Sequence, residues 1–574
     1  MCGIVGILSG RPRLDLLERV HEMAGILLHR GPDQQGASGD ETLALGMNRL
    51  AIVDDRVHDV PYTNEDEGVR LVYNGEVYNH LDIRRRFRQT HSLRNDSDAE
   101  TVVHAYEEMG LSMLDEFNGM YAFALADYSK RTLYLVRDKV GEKPLYYTVC
   151  DGCLYFASEI KAILTQIEPR YNPQCRSYRA FEICCDRETL FEGIYSLLPG
   201  EYLEVPFDDI SAMRHVRYWL VTDHLIDVPD DDAYIERELT ELLEDAVRVR
   251  TRNNRHGFGC LVSGGVDSAL LVGMARPDYL YTCTYGLGPA YDELAYAQLV
   301  ADHVGKKLTV VRPTPQEFEA FRSDIIYTLD LPCTWTSFNL FCVLNRVRED
   351  CRVTMTGEGI DELFGGYHRY LLLYHDDQIR GIEAMEEYGY LIDKYYGSPV
   401  DRYVRLINRC DEPQDPAVRR YLRSTAEPLF DAAGDVTHGM GLVDLYTTMQ
   451  VLLHMSDRMN MHYSMENRSP FLDPRLVQFA FSMPSRLKIH NGVTKYIIKK
   501  IARKFIPREI VERKDKRGFL APLNAWFGWP TGGKYDRVAY RQLCLEDWRK
   551  VFFTGSGDRL RKAPRWRQPV PVSR

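Results

Sequence analysis

Apolar and polar positions divide the chain into two stretches with different rhythms. The first opens with Met1-Cys2-Gly3-Ile4-Val5-Gly6-Ile7, an apolar strand, and continues into an amphipathic helix over residues 14–28. Two alternating runs, 144–149 and 154–157, flank Cys150-Asp151-Gly152-Cys153. Asp-Gly in that setting predicts a tight hairpin. From Glu201 to Asp232 the chain turns polar, with aspartates and prolines and little pattern, and reads as a linker. Helical periodicity returns at Ala233 and holds through Leu242 and Val247. Beyond it come a strand over 258–262, a helix with Ser268 near its cap, a strand over 279–286, a helix over 293–303, and strands over 308–311 and 352–355. Such alternation predicts a parallel α/β sheet that binds ligands at its strand ends.

A length of 574 residues fits two domains. Hydrophobic residues make up 45% and charged residues 27%, ordinary for a globular protein in water. The net charge of −11 argues against a general nucleic-acid binder. No apolar run approaches a membrane span, and the short apolar start lacks a basic leader, so the reading is a cytoplasmic protein. Thirteen scattered cysteines fit a reducing compartment. Cys150 and Cys153 have no second pair at zinc spacing and belong to the hairpin.

Candidate chemistry gathers in glycine-bearing turns. Leu261-Val262-Ser263-Gly264-Gly265-Val266-Asp267-Ser268 joins a strand to a helix through a two-glycine turn. Its backbone N–H groups and the helix dipole make an anion cradle. No Gly-Lys-Ser/Thr follows, so it is not a Walker A loop. Asp267 places a carboxylate inside a phosphate site, which calls for a bridging cation such as Mg²⁺. Thr356-Gly357-Glu358-Gly359-Ile360-Asp361-Glu362-Leu363-Phe364-Gly365-Gly366-Tyr367 sets four glycines around three acids, again after a strand. At the other end, Cys2 becomes N-terminal once Met1 is removed. Its α-amine, with a pKa of about 7.7–8.0, could then activate its own thiol. On position alone, a buried strand cysteine is an equal reading.

Further polar groups stand at strand ends: His29-Arg30-Gly31-Pro32-Asp33, Asn48-Arg49 through Asp54, Tyr73-Asn74-Gly75-Glu76, and Ser97-Asp98. In this order they resemble the class II glutamine amidotransferase domain, an N-terminal-nucleophile hydrolase with an αββα sandwich. The resemblance runs through Arg137–Tyr147 and Phe156–Glu159 to Leu198-Pro199-Gly200. It implies that Cys2 attacks the side-chain amide of glutamine and that Asn74 and Gly75 supply oxyanion donors. It places Arg49 on the α-carboxylate and Asp98 on the α-ammonium, with Leu50, Ala51, Ile52, Val53 and Glu76 completing the pocket.

The second half carries the cradle, the acidic loop, Asp457-Arg458, Glu466-Asn467-Arg468-Ser469-Pro470 and Thr494-Lys495-Tyr496, with Lys495 on a helical pattern. The whole resembles the asparagine synthetase family, with an ATP-pyrophosphatase domain of Rossmann-like parallel α/β type and added helices. The implied layout is a glutaminase domain over 2–205, a linker over 206–232, a synthetase domain over 233–545 and a disordered basic tail over 546–574. Val262, Ser263, Gly264, Gly265, Asp267, Ser268, Tyr285, Thr356 and Gly357 would bind ATP, with Val262 and Tyr285 against the adenosine. Asp267 and Asp361 would hold Mg²⁺. Glu358, Lys495 and Tyr367 would be catalytic. Two positions depart from the family pattern: Met455-Ser456 stands where many members have a lysine, and Leu331 follows Asp330 where many have glutamate.

These features imply an amide ligase that takes glutamine, aspartate and ATP, forms β-aspartyl-AMP, and leads ammonia through a mostly apolar passage. The assembly it allows is a homodimer. Two alternatives stand beside it: an amidotransferase for another carboxylate, and an inactive regulatory relative, against which Cys2, Asp267 and Glu358 all speak. The stretch 330–339, with Thr334, Thr336 and Ser337 before a helix from Leu340, is the candidate acceptor wall, although its hydroxyls could simply cap that helix.

Overall fold

Strand Cys2–Ser9 is buried along its whole length because both of its faces are covered. Cys2, Ile4 and Leu8 point between two sheets, while Val5 and Ile7 pack beneath helix Leu16–Ile26 through Leu16, Val20 and Met23. Alternation between two apolar surroundings gives an unbroken apolar run in sequence. The protein is described here by a computed structural model covering all residues except 55, 57–58, 88, 253–256, 289–290, 334–335, 375–397, 411–414, 514–520, 529–533 and 555–574.

That strand is central to a six-stranded antiparallel sheet ordered Tyr195–Ser196, Tyr146–Cys150, Cys153–Ala157, Cys2–Ser9, Leu43–Arg49, Gln34–Gly39. The facing sheet runs Arg214–Arg217, Glu201–Pro206, Thr132–Arg137, Gly119–Asp127, Val69–Val77, Tyr62–Thr63. Helix Leu16–Ile26 covers the first sheet and helix Asp98–Met109 the second, completing the αββα sandwich. Cys150 and Cys153 face each other across the expected hairpin, with Asp151 and Gly152 both at positive φ.

The boundaries differ from those read in the sequence. Residues 214–217, placed in the linker, extend the second sheet by pairing with Glu201–Pro206. This Arg-His-Val-Arg edge strand is largely exposed, so no apolar alternation marks it. Helix Asp232–Thr251 then starts the second domain, with the Asp231 carboxylate accepting from the N–H groups of Ala233 and Tyr234. Residues 546–553, assigned to the disordered tail, belong to helix Lys534–Phe553. Its Trp548 and Phe552 are buried: Trp548 meets Phe191 of the first domain at 5.0 Å and donates to the Asp330 carbonyl of the second at 3.0 Å. Residues 555–574 of that tail lie outside the described residues.

The second domain is built on five parallel strands, Phe258–Leu261, Tyr279–Cys283, Leu308–Val311, Val353–Met355 and Glu466–Arg468, which stand in the order 3-2-1-4-5. The order reverses between Phe258–Leu261 and Val353–Met355, and a crevice forms at such a switch point. No helix among the described residues is long and apolar enough to cross a membrane.

The domains meet across a buried charged seam. Arg30 lies 2.8 Å from both Glu159 and Asp457, Lys161 lies 2.9 Å from Asp330, and Arg458 lies 2.9 Å from Glu159. Each of these side chains is at most 1% exposed, so the opposed charges are what make the burial tolerable.

Candidate active site

In the first domain, Cys2 sits opposite Arg49 in the sheet register. Its backbone N–H donates to Asn74 Oδ1 at 2.9 Å, and Arg30 Nε donates to its carbonyl at 3.0 Å. The bond to Oδ1 fixes which way the Asn74 amide points. Asn74 Nδ2 is thereby left as a buried donor without a hydrogen-bond partner, beside the cysteine. Gly75 lies against Tyr121 on the neighbouring strand, where an added Cβ would strike the backbone of Met120 and Tyr121. Asp98 Oδ2 accepts from the Tyr73 hydroxyl at 2.6 Å and from Val77 N–H at 2.9 Å. Arg49 donates to the carbonyls of Arg56, at 2.9 Å, and Asp54, so its guanidinium fork is tied to the following loop. Leu50 donates to the Met1 carbonyl at 3.0 Å, and Ala51 N–H reaches the Asp33 carboxylate at 2.8 Å. Ile52 is buried and Val53 half-buried. Glu76 is buried too, and burial together with Asp98 raises its pKa well above the usual carboxylate range.

In the second domain the glycine turn is held by hydroxyls. Ser263 N–H donates to Ser268 Oγ at 3.1 Å, and that hydroxyl donates back to the Ser263 carbonyl at 3.1 Å. The helix begins at Val266 with Gly265 as its cap, so Ser268 acts from inside the first turn rather than at the cap. Lys495 precedes helix Tyr496–Ala502 instead of lying on it, at φ 53°. Its ammonium stands 2.7 Å from both oxygens of Asp267 and 2.5 Å from Asp361. Gly366 makes this approach possible, since a Cβ there would overlap Lys495 and Asp361.

A cavity of about 270 Å³ opens beside this group. Val262, Ser263, Asp267 and Ser268 line one side, and Thr356, Gly357, Glu358, Asp361 and Tyr367 another. Gly264, Gly265 and Lys495 face a second cavity of about 880 Å³, whose wall also carries Lys499, Lys500, Arg503 and Arg513. Tyr285, expected at the adenosine, lines neither cavity: its hydroxyl donates to Asn339 and its ring meets Trp526 edge-on at 5.3 Å. It lies beyond the end of its strand, Tyr279–Cys283, which turns Tyr281 and Thr282 to the smaller cavity.

Glu358 accepts from Thr356 Oγ1 at 3.1 Å, Ser469 Oγ at 3.3 Å and Ser456 Oγ. Burial raises its pKa against these hydroxyls. Burial and the adjacent Asp361 push Glu362 up to about 8, against a 2.5 Å hydrogen bond from Tyr367.

The asparagine synthase family model matches residues 238–548, more than half of the chain, and a glutamine amidotransferase domain model matches residues 1–219. The chain belongs to the asparagine synthase family. Glutamine-hydrolyzing asparagine synthetase 1 of Bacillus subtilis (strain 168) is 28% identical over 561 residues, covering 92% of this chain and 88% of its own. Asparagine synthetase 3 of the same organism is 28% identical over 546 residues, covering 90% and 86%. Amidase chry2 of Gibberella zeae is 25% identical over 651 residues, covering 96% and 93%.

In this family member the two sites are joined by short pieces of chain. Adjacent residues Ser456 and Asp457 hold Glu358 and Arg30 respectively, and Arg30 in turn holds the Cys2 carbonyl. Around strand Glu466–Arg468 the alternation does the same. Glu466 meets the Met1 ammonium at 3.1 Å and Arg468 stands 3.8 Å from Glu76, whereas Asn467 and Ser469 reach Thr356 and Glu358. Along this seam the side chains are charged and polar, while Met1, Leu50, Ile52, Met120 and Val140 of the first domain share an apolar cluster with Leu445, Met449 and Leu453 of the second. An edge strand shared by two sites must present polar groups to both. Arg30, Ser456 and Ser469 were visible in sequence only as neighbours of stronger motifs. Ser456, in the Met455-Ser456 pair where many family members carry a lysine, brings a hydroxyl to Glu358, and the Lys143 ammonium of the first domain stands 3.7 Å from the neighbouring Asp457.

Proposed function

We propose that this member of the asparagine synthase family converts free aspartate to asparagine through β-aspartyl-AMP, using ammonia released from glutamine. The observation that supports it best is the Ser456-Asp457 pair, which ties an amide-splitting site to a carboxylate-activating site through one turn of helix. At the first site the Cys2 thiolate attacks the glutamine amide carbon. Asn74 Nδ2 and the Gly75 N–H meet the developing oxyanion, a contribution of about 3–4 kcal/mol for one such donor. With Met1 removed, the Cys2 amine beside Asn74 takes the thiol proton. Asp98 receives the α-ammonium of glutamine.

At the second site the aspartate side-chain carboxylate attacks the α-phosphorus of ATP, pyrophosphate leaves, and ammonia then displaces AMP. The Gly264 N–H and the start of helix Val266–Ala275 would receive the phosphates, while the Gly265 N–H donates to Ser263 Oγ at 3.3 Å, and Lys495 with the basic wall behind it would balance the leaving pyrophosphate. Glu358 supports adenylate formation from across the cavity. Mg²⁺ fits the donor set, since Asp267 and Asp361 bring hard carboxylate oxygens to the one point that the Lys495 ammonium reaches. Those two residues would hold it, and its charge would neutralise phosphate oxygens.

A second reading, amidation of a different carboxylate, is favoured by the acceptor stretch. Asp330 is engaged by Lys161 in the seam, and the hydroxyls of Thr336 and Ser337 turn to Met455 Sδ, at 3.2 and 3.7 Å. The helix there starts at Ser337 rather than Leu340, and residues 334–335 lie outside the described residues. AMP release decides between the readings. With ATP, Mg²⁺ and ammonia, aspartate should give AMP well above glutamate or a uronic acid. AMP from another acid and none from aspartate would remove the asparagine assignment.

A further inference from the structure

The outer face of the first domain gathers side chains that neither site uses. Glu65 lies in the turn after strand Tyr62–Thr63, His91 in the loop before helix Asp98–Met109, and His104 and Glu107 on that helix. Each brings one ligand atom to within 4.8 Å of the others, the group among the described residues that gathers in this way. We propose that these four residues bind a single zinc ion that clips turn, loop and helix together.

The spacing is that of a nearly formed coordination shell. His91 Nδ1 stands 3.5 Å from Glu65 and 3.6 Å from Glu107, and His104 Nδ1 stands 3.7 and 2.8 Å from the same two carboxylates. Ligands at about 2.0–2.1 Å from a tetrahedral zinc lie about 3.3 Å from one another. The observed separations straddle that edge length, so small side-chain shifts complete the shell. The two rings lie 4.5 Å apart at 34° to each other, with Phe87 edge-on to His91 at 5.8 Å.

The groups behind the ligands point the same way. His91 Nε2 faces Glu108 at 3.0 Å, and an N–H donated there leaves the lone pair on Nδ1, the tautomer a metal needs. Ser92 N–H holds the Glu65 carboxylate at 2.7 Å, and Asn64 Nδ2 holds that of Glu107 at 2.7 Å. One divalent ion would balance the charge of both carboxylates. Two imidazoles and two carboxylates suit zinc, and four protein ligands close the shell, which marks a structural rather than a catalytic ion. The clipped loop continues to Ser97, which caps the helix beginning at Asp98. The ion would therefore brace the wall that carries Asp98.

The test uses full-length protein stripped with a chelator, desalted, and titrated with zinc alone and with cobalt alone. Wild type should take up one zinc per chain at this site, and cobalt there should give the intense visible bands of a tetrahedral ion. His91→Ala and Glu107→Gln should each lower zinc affinity tenfold or more, and Glu108→Gln, which touches only the outer nitrogen, about tenfold. Glu107→Gln keeps the shape and the Asn64 contact, so its metal-free melting temperature should match that of stripped wild type. Loss of zinc in that variant then reports ligation. No uptake by wild type, uptake unchanged in both ligand variants, or an octahedral cobalt spectrum would overturn the proposal.

Discussion

At the proposed glutamine pocket Asp98 receives a tyrosine hydroxyl and a backbone N–H from its own domain, whereas across the seam Asp267, Glu358, Asp361 and Glu362 crowd around one cavity. There a single ammonium, Lys495, stands between two of the four, and burial raises the pKa of the other two. The first arrangement is one of fixed dipoles, suited to the neutral amide and the zwitterion of the proposed substrate. The second concentrates negative charge where, on the proposed function, a cation and a polyphosphate would be exchanged. Preorganised donors need little rearrangement to work, while a crowd of carboxylates changes its balance with every cation that enters.

Substitution at the two nucleating residues should separate the sites most sharply. Cys2→Ala should reduce glutamine-dependent synthesis about a thousandfold or more and leave synthesis from ammonium salts within about twofold, because only the first site loses its nucleophile. Loss of both activities would mean that the sites do not divide the chemistry. In the opposite direction, Asp267→Asn should lower pyrophosphate exchange into ATP about a hundredfold, since a neutral amide is a poor ligand for a hard cation. Glutaminase turnover should persist in that variant. Undiminished exchange would return Asp267 to a purely structural role.

The next effect is on stability. Arg30 belongs to both regions at once, holding the Cys2 carbonyl with Nε and facing Glu159 and Asp457 with Nη1. Arg30→Met keeps most of the volume but leaves buried carboxylates without that charge, which costs about 3–5 kcal/mol. The denaturation midpoint should fall accordingly, with glutaminase turnover falling alongside it. A midpoint unchanged within error would show that the remaining cations of the seam carry its charge without Arg30.

Most of the sandwich, the parallel sheet and the loops at the switch point were legible in the sequence, for a physical reason. Strand Cys2–Ser9 alternates between two apolar surroundings, and the glycines of 264–265 and 357–359 stand where backbone must approach other groups closely. Elements that hold the domains together were less legible. The edge strand Arg214–Arg217 has no apolar face, and Trp548 and Phe552 sit in a segment whose tail is rich in arginine and proline. Within the sites, Ser456 was noticed only as part of the Met455-Ser456 pair that lacks a lysine, because a serine next to Asp457 carries no signal until a buried glutamate is placed against it. The four ligands of the proposed zinc site are spread from Glu65 to Glu107 without motif spacing, and only the folded turn, loop and helix bring them together.

The smallest effect sharpens the comparison through pH. Glu142, in the first domain, and Glu362, in the second, are both buried, and each is pushed up to about 8, by burial first and then by Asp138 and Asp361 respectively. A carboxyl whose folded pKa lies above its unfolded value of 4.5 holds its proton in the folded state while the unfolded chain has released it. Its contribution to stability is complete below pH 4.5 and is lost as pH rises through about 8. Each group can make stability fall by up to about 1.4 kcal/mol per pH unit inside that window. Between pH 6 and pH 8, Glu142→Gln and Glu362→Gln should therefore each flatten the wild-type decline by about 2 kcal/mol, read from urea unfolding at the two pH values. The two variants should differ in one respect. ATP with Mg²⁺ should alter the slope of the Glu142→Gln protein, which still carries Glu362 in the cavity wall, more than that of Glu362→Gln, whose remaining Glu142 meets the cavity only through Glu358. Equal responses to nucleotide would show that both carboxyls sense the same cavity and would dissolve the contrast between a preorganised region and a charge-crowded one.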